Sequence, residues 1–240
     1  MKIVAKLILA IVILVIIYTL YQWYFSGKAD TTIFTGPLEA ESAYNTVGTL
    51  STKISNILTS QYSYSIWIYI KDWSYKNGEN KIIFSRKDGN NPARAGPEVY
   101  LGPTDNTLTV SVDYTGGRTD CQVTQVPIQA WVNIIVVLNN QALDVYIDGK
   151  LTRTCVLGGV PSIAVGASAW VCPPNGIAGG QPGFDGLVSS FRAFPYPLNP
   201  REAYEIYREG HVGVSMNIFN KYRIKLAFLK DNHEMGSFEI

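Results

Sequence analysis

The sequence predicts an all-β fold, an antiparallel two-sheet sandwich, and three observations carry that prediction. Residues 131–156 hold three short apolar runs, 131–138, 143–147 and 151–156, separated by the turn dipeptides Asn139-Asn140 and Asp148-Gly149; this is the pattern of a three-stranded meander closed by tight hairpins. In the middle run Leu143, Val145 and Ile147 alternate with Asp144, Tyr146 and Asp148, which gives one buried face and one wet or partner-facing face. The composition, with 21 Gly, 12 Pro and 15 Tyr in 240 residues, suits a turn-rich aromatic β protein, and the length suits one sandwich plus an appendage.

The chain opens with an apolar run, 3–20, interrupted only by Lys6 and Thr19 and followed at once by Tyr21, Trp23, Tyr24 and Phe25. At ~1.5 Å of helical rise per residue such a run is just long enough for a hydrocarbon core of about 30 Å, with the four aromatics at headgroup level. A cleaved signal peptide is the competing reading; the length of the run and the bulky residues at the expected cleavage position favour a transmembrane anchor over residues 1–25. Lys2 and Lys6 precede the span and Lys28 follows it, so the positive-inside rule leans toward a cytoplasmic N-terminus. Residues 26–48, small and polar, read as a linker that becomes an edge segment.

The sandwich is expected over residues 49–212. Tyr62, Tyr64, Ile66, Ile68 and Ile70 share one strand face and Ser63, Ser65, Trp67 and Tyr69 the other, which suits a central strand covered on both sides. Residues 82–85 resume as strand after a turn-rich stretch, and 86–97 (RKDGNNPARAGP) read as a long exposed loop, a natural recognition edge. Strands follow at 99–101 and 108–114, hairpin turns at 103–106 and 115–118, a further strand at 161–169, a Gly/Pro loop at 172–183 and a returning strand at 184–194. Asn199-Pro200 opens a short helix with Glu202 in its first turn; Glu202, Glu205 and Glu209 at helical spacing read as its solvated face. Residues 213–240 form a C-terminal β-hairpin extension, with Tyr222, Ile224, Leu226 and Phe228 on one face of its first strand.

Charge and motifs exclude several function classes. With 20 basic and 19 acidic residues the net charge is +1, and no Lys/Arg run exceeds two, so there is no electrostatic footprint for nucleic acid. Glucanases need two carboxylates on one strand face, in a run such as E-x-D-x-E, to flank the glycosidic bond; no such run exists. His211 and His233 are isolated from any cluster at metal-ligand spacing, and no nucleophile elbow, Walker or dinucleotide loop occurs. The expectation is a protein that is not an enzyme and has no cofactor. Calcium is the one ion considered, with the loop or strand-end acids Asp88, Asp105 and Asp113 as candidates that follow no compact ligand pattern. Of three cysteines, Cys121 and Cys155 could be bridged as neighbours in one sheet; the alternative is that both, with Cys172, are reduced and half-buried.

The segment LDVYIDGKL (143–151) after Trp131, together with YSYSIWIYIKDW (62–73), KIIFSRKD (81–88), PEVYLGPTDNTLTVSV (97–112) and the stretch 183–210, is similar in order and kind to the landmarks of concanavalin A-like, laminin G-type domains. The resemblance covers residues 49–210 and implies a jelly-roll sandwich. More narrowly, the layout and the ending SFEI resemble short membrane-anchored laminin G-like proteins of large DNA viruses of algae and protists. That resemblance implies a non-catalytic virion minor capsid or membrane-associated protein, linking the viral internal membrane to capsid proteins. The alternative is a membrane-displayed lectin or adhesin, with Trp73, Tyr75, Tyr100, Tyr114 or Trp170 as stacking platforms for glycans.

Overall fold

Backbone conformation at two turns sets the register of the meander. Asn140 (φ 56°), Asp148 (φ 50°) and Gly149 (φ 72°) all occupy the left-handed region, which matches a two-residue hairpin to the twist of its strands. Gly149 is also held by space: a Cβ there would lie 2.9 Å from Tyr207 Cβ.

The structure, a computed structural model, describes residues 12–13, 15–16, 18–20, 32–45, 60–87, 95–161, 168–174, 180–212, 225–230 and 233–239. The chain divides into two units, Met1–Thr31 and Thr32–Ile240. In the first, the described residues are helical and exposed, and Thr19 Oγ1 donates to the Ile16 carbonyl at 2.9 Å. Among the described residues no helix is long and apolar enough to cross a membrane. The rest of the expected anchor, with Tyr21, Trp23, Tyr24 and Phe25, lies outside them.

In chain order the second unit contains strands β1 (Thr32–Phe34), β2 (Leu38–Glu39), β3 (Tyr44–Asn45), β4 (Gln61–Ile70), β5 (Lys81–Lys87), β6 (Ala95–Leu101), β7 (Leu108–Tyr114), β8 (Gly117–Val123), β9 (Trp131–Asn139), β10 (Ala142–Ile147), β11 (Lys150–Val156), β12 (Ser168–Val171) and β13 (Gly186–Phe194). Helix α1 (Pro200–Glu209) follows, then β14 (Lys225–Lys230) and β15 (His233–Glu239). A seven-stranded sheet runs β1-β13-β4-β9-β10-β11 with β2 also on β13; a six-stranded sheet runs β3-β12-β5-β6-β7-β8; β14 and β15 pair by themselves.

Alternation along β4 and β9 builds two apolar layers. Tyr62, Tyr64, Ile66 and Ile68 of β4 and Val132, Ile134, Val136 and Leu138 of β9 face the six-stranded sheet in the main core. The opposite face sends Ile135 and Val137 to a smaller core with Tyr146, Phe194, Leu198, Ala203 and Ile206 under α1. Ser63 ties this layer down: its Oγ donates to the Tyr196 carbonyl and accepts from Leu198 N, both at 2.9 Å. Helix α1 starts at a reciprocal cap, with Asn199 Oδ1 accepting from Glu202 N and Glu202 Oε2 accepting from Asn199 N, each at 3.0 Å. The three helical glutamates therefore have structural partners: Glu202 the cap, Glu205 Arg201, and Glu209 the Arg192 of β13.

Several expectations change. The sheet starts at Thr32, inside the segment read as a linker, because β1 and β2 both pair with β13. The loop expected over 86–97 is strand at both ends: β5 continues to Lys87, β6 begins at Ala95, Arg86 is only 6% exposed, and 88–94 lie outside the described residues. The cause is bulging, since the β5–β6 register shifts twice and breaks the alternation that a sequence reading relies on. Of the strand expected at 161–169, residues 162–167 lie outside the described residues, and the strand observed there, Ser168–Val171, runs two residues further. Strand β15 of the C-terminal hairpin spans His233–Glu239, four residues earlier at its start than a return expected over 237–240.

Cys121 and Cys155 are joined, with Cα atoms 5.9 Å apart, and the bridge is not between neighbours in one sheet. It links β8, the last strand of one sheet, to β11, the last strand of the other. Cys172 is a free, buried thiol, and burial pushes its pKa well above the ordinary range.

Two measurements check this account. Because the bridge spans a sequence separation of 34, Cys155→Ser is expected to lose about 3 to 4 kcal/mol of unfolding free energy, read by denaturant titration without reductant. Asn199→Ala removes the helix cap and is expected to lose about 1 kcal/mol while leaving the far-ultraviolet circular dichroism of the sheets unchanged.

Candidate functional site

Helix α1 and the chain leading into it cover the middle of the outer surface of the seven-stranded sheet, and the outer surface of the six-stranded sheet carries a row of polar side chains. Trp170, Ser85, Glu98, Ser111 and Asp120 are direct partners in turn across β12, β5, β6, β7 and β8. Opposed residues on antiparallel strands share a face, so these five form one row. Ile82, Tyr100, Thr109 and Gln122 form the next. The intervening Val99, Leu101, Val110 and Val112 point into the main core.

The floor of this face is dry and its walls are half open. Ser85 and Ser111 are 0% exposed, whereas Glu98, Tyr100 and Trp170 are half-buried around them. Ser85 Oγ has no hydrogen-bond partner among the described residues, although it lies between an indole and a carboxylate. A buried hydroxyl without a partner is a group that a ligand or a water can satisfy.

Beside the row is a charge network centred on Arg118. Its Nη2 donates to Glu98 Oε2 at 2.6 Å, its Nε lies 3.4 Å from Asp120 Oδ1, and Ser111 Oγ donates to the same Asp120 oxygen at 2.5 Å. Lys87 Nζ lies 3.6 Å from the other Glu98 oxygen. Burial works against the Arg118 charge, but the Glu98 hydrogen bond and the neighbouring carboxylates outweigh it and raise its pKa. Pairing across strands thus gathers three acids, Glu98, Asp113 and Asp120, that no linear run reveals. Each faces Arg118, an arrangement unlike a proton-holding acid set opposite a nucleophile.

Of the five aromatics expected as platforms, the fold brings two together. Tyr100 and Trp170 share the outer face, two strand spacings or about 10 Å apart across the sheet. Trp73 does not offer a free ring, because Lys81 Nζ sits 4.6 Å from its centroid. Tyr75 spends its hydroxyl on the Pro182 carbonyl at 3.0 Å. Tyr114 is packed on glycines: a Cβ at Gly158 would stand 2.5 Å from its Oη.

The calcium candidates do not converge. Asp105 and Asp113 lie at opposite ends of β7, a strand of 7 residues about 20 Å long. Asp105 Oδ1 accepts from Thr107 N at 3.1 Å and Asp113 Oδ2 from Ala95 N at 2.5 Å. Asp88 is outside the described residues, among which no group of three or more His, Cys, Asp or Glu could hold a metal ion.

Sequence reasoning missed Ser85, Glu98, Arg118 and Asp120. Their signal was present in the polar residues at alternate positions of three consecutive strands, Glu98/Tyr100, Thr109/Ser111/Asp113 and Arg118/Asp120/Gln122. A second aromatic group, Trp67, Trp131, Tyr207 and His211, packs beside the end of α1, with the Trp131 and His211 rings stacked at 4.4 Å. A shallow cleft of about 240 Å³ lies at the disulfide-bonded edge, between residues 123–127 and the turn at Asp148, away from the polar row.

Among solved structures, the chain is similar to the binding domain of botulinum neurotoxin DC in complex with rat synaptotagmin II, at 16% identity and TM-score 0.51, over 65% of this chain and 37% of that one. The same binding domain in complex with SialylT aligns at 17% identity and TM-score 0.50, over 64% and 36%. Domain 4 of the extracellular arabinanase AbnA from Geobacillus stearothermophilus, in complex with arabinotriose, aligns at 20% identity over 63% and 69%, with a TM-score of 0.47 that is too low to argue from. The chain spans little more than a third of the two neurotoxin chains, and at these identities the likeness establishes the fold alone. A search of curated proteins found no match. A laminin G-type family model, described as the concanavalin A-like lectin/glucanases superfamily, matches residues 40–203, well over half of the chain and all of β4 to β13; to that superfamily this protein belongs.

Proposed function

We propose that the chain is a non-catalytic binding module that takes a glycan on the outer face of its six-stranded sheet and is held at a membrane by its N-terminal segment. The observation that carries this reading is the row Trp170–Ser85–Glu98. A sugar ring presents an apolar face of C–H groups and a rim of hydroxyls; the half-buried Trp170 indole covers the first, and the half-buried Glu98 carboxylate answers the second. Arg118 ties down the acids that catalysis would need free, which favours binding over turnover. The apolar run 3–20 and the exposed Val12, Ile13, Val15 and Ile16 support the tether. The Cys121–Cys155 bridge belongs to an oxidising compartment, which agrees with a sandwich on the opposite side of the bilayer from a cytoplasmic N-terminus.

The narrower viral resemblance supports a second reading, in which the sandwich contacts capsid proteins from the internal membrane of a virion. Its support is the layout of apolar segment, linker, sandwich and a terminal hairpin that, among the described residues, pairs with itself alone. On that reading the protein stays with purified particles after mild detergent and the same face binds protein rather than sugar.

A glycan array probed with the full chain in non-ionic detergent separates the two. Selective binding to one sugar class is expected, with Trp170→Ala weakening it at least tenfold, as loss of a buried aromatic contact worth about 1.4 kcal/mol or more would do, and Tyr75→Phe leaving it unchanged. No retained glycan, or full binding by Trp170→Ala, would overturn the glycan reading. Because Asp105 and Asp113 are apart, chelation with EDTA is expected to leave glycan binding unaltered; loss of binding in EDTA would restore calcium to the site.

A further inference from the structure

Next to Ser85, on the other side of the same strand, Arg86 points into the sandwich. It pairs with Ala169, which is 0% exposed in the main core, and its guanidinium carbon lies 5.9 Å from the centroid of the Tyr62 ring. Tyr62 opens an aromatic cluster: Tyr62 and Tyr64 meet at 5.4 Å, and Tyr64 lies 5.5 Å from Phe84 and 5.9 Å from Phe191. Arg86 Nη1, Tyr62 Oη and Tyr64 Oη are all buried and no hydrogen bond of full geometry reaches them among the described residues, although the Arg86 guanidinium lies near enough to the Tyr64 hydroxyl to act on it as a donor. None of the ion pairs formed by those residues includes Arg86.

The chemistry of the three groups narrows what could complete them. A buried lysine can shed its proton, but a guanidinium stays charged at any relevant pH, so its charge must be met by another. The two phenols cannot supply it, because burial holds both above their ordinary pKa even with Arg86 pulling the other way. They remain neutral and can donate. Three buried donors and one permanent positive charge, set beside aromatic rings, ask for an acceptor that carries negative charge and is small enough to fit between two strands.

We propose that Arg86, Tyr62 and Tyr64 form an internal site for a small monovalent inorganic anion, with Arg86 Nη1 and the two phenolic hydroxyls as its donors. The site lies behind the glycan face, across β5, and does not depend on glycan binding. Ion binding to the folded chain alone makes stability depend on ion concentration.

The test is thermal unfolding of the full chain in non-ionic detergent, with sodium chloride replacing sodium gluconate at fixed ionic strength. The melting temperature is expected to climb by roughly 3 to 5 °C for each tenfold rise in chloride above its dissociation constant. Arg86→Met is expected to abolish the slope. Should that variant fail to fold, Tyr62→Phe, which removes one hydroxyl only, is expected to move the chloride dependence several-fold higher in concentration. Equal melting temperatures in chloride and gluconate would overturn the proposal, since water or a carboxylate of the chain such as Asp88 would then complete the site. A slope that survives unchanged in both variants would overturn it too.

Discussion

Burial of β4 on both faces is the constraint on which the rest of this fold depends. Tyr62 through Ile68 are all buried, so the strand must meet two layers at once, the inter-sheet core and the layer under α1. That demand explains why Ser63 and Ser65, small and polar, sit opposite tyrosines and isoleucines: the helix side is thinner, and hydroxyls there can bond the chain that lies over them. Ser63 does so to Tyr196 and Leu198, and Ser65 accepts from Asn133 Nδ2 at 3.2 Å. Asn133 N in turn donates to the Asp148 carboxylate at 2.9 Å, so the hairpin turn, β9 and β4 are locked by one polar chain of contacts.

The same asymmetry assigns roles to the two sheets. One has its outer surface sealed by a capped helix, and its inventory there is Ile135, Val137, Tyr146 and Phe194, the makings of a core. The other carries Tyr100, Glu98, Arg118, Asp120 and Trp170 around a dry floor, an inventory with little packing purpose. The polar inventory of the second sheet is what singles it out, since the first is apolar wherever α1 covers it and free along β11. A one-sided sandwich of this kind presents its polar face in a fixed direction relative to its helix.

Local chemistry was legible in the sequence, and long-range geometry was not. The turn at Asp148-Gly149, the double-sided character of β4 and the Asn199 cap all follow from rules that act within a few residues, whereas the turn expected at Asn139-Asn140 falls one residue later, at Asn140-Gln141, with Asn139 paired in β9. The row from Trp170 to Asp120 depends on five strands finding register, and nothing near any one of those residues reports it. Arg86 shows a different difficulty: polar residues flank it, the strand bulges twice, and a cation aimed inward looks like one aimed at solvent. The cysteine pair was recognisable as a candidate, but the reason given for it, adjacency within one sheet, was replaced by a contact between sheets. Tyr114 was misread because its partners are glycines, whose contribution is space rather than a side chain.

The cross-sheet bridge has a further consequence for how the molecule behaves in a crowd. Strand β11 is an unpaired edge, exposed along nearly its whole length, with Val156 71% and Leu151 52% exposed. Such an edge is a template on which another chain can add a strand. Cys155 holds it against β8, so the edge is presented rigidly and cannot peel back to recruit its own neighbours into an extended ladder. In a reducing medium that restraint disappears, and the first symptom should be self-association along this margin, well before the centre of the sandwich loosens.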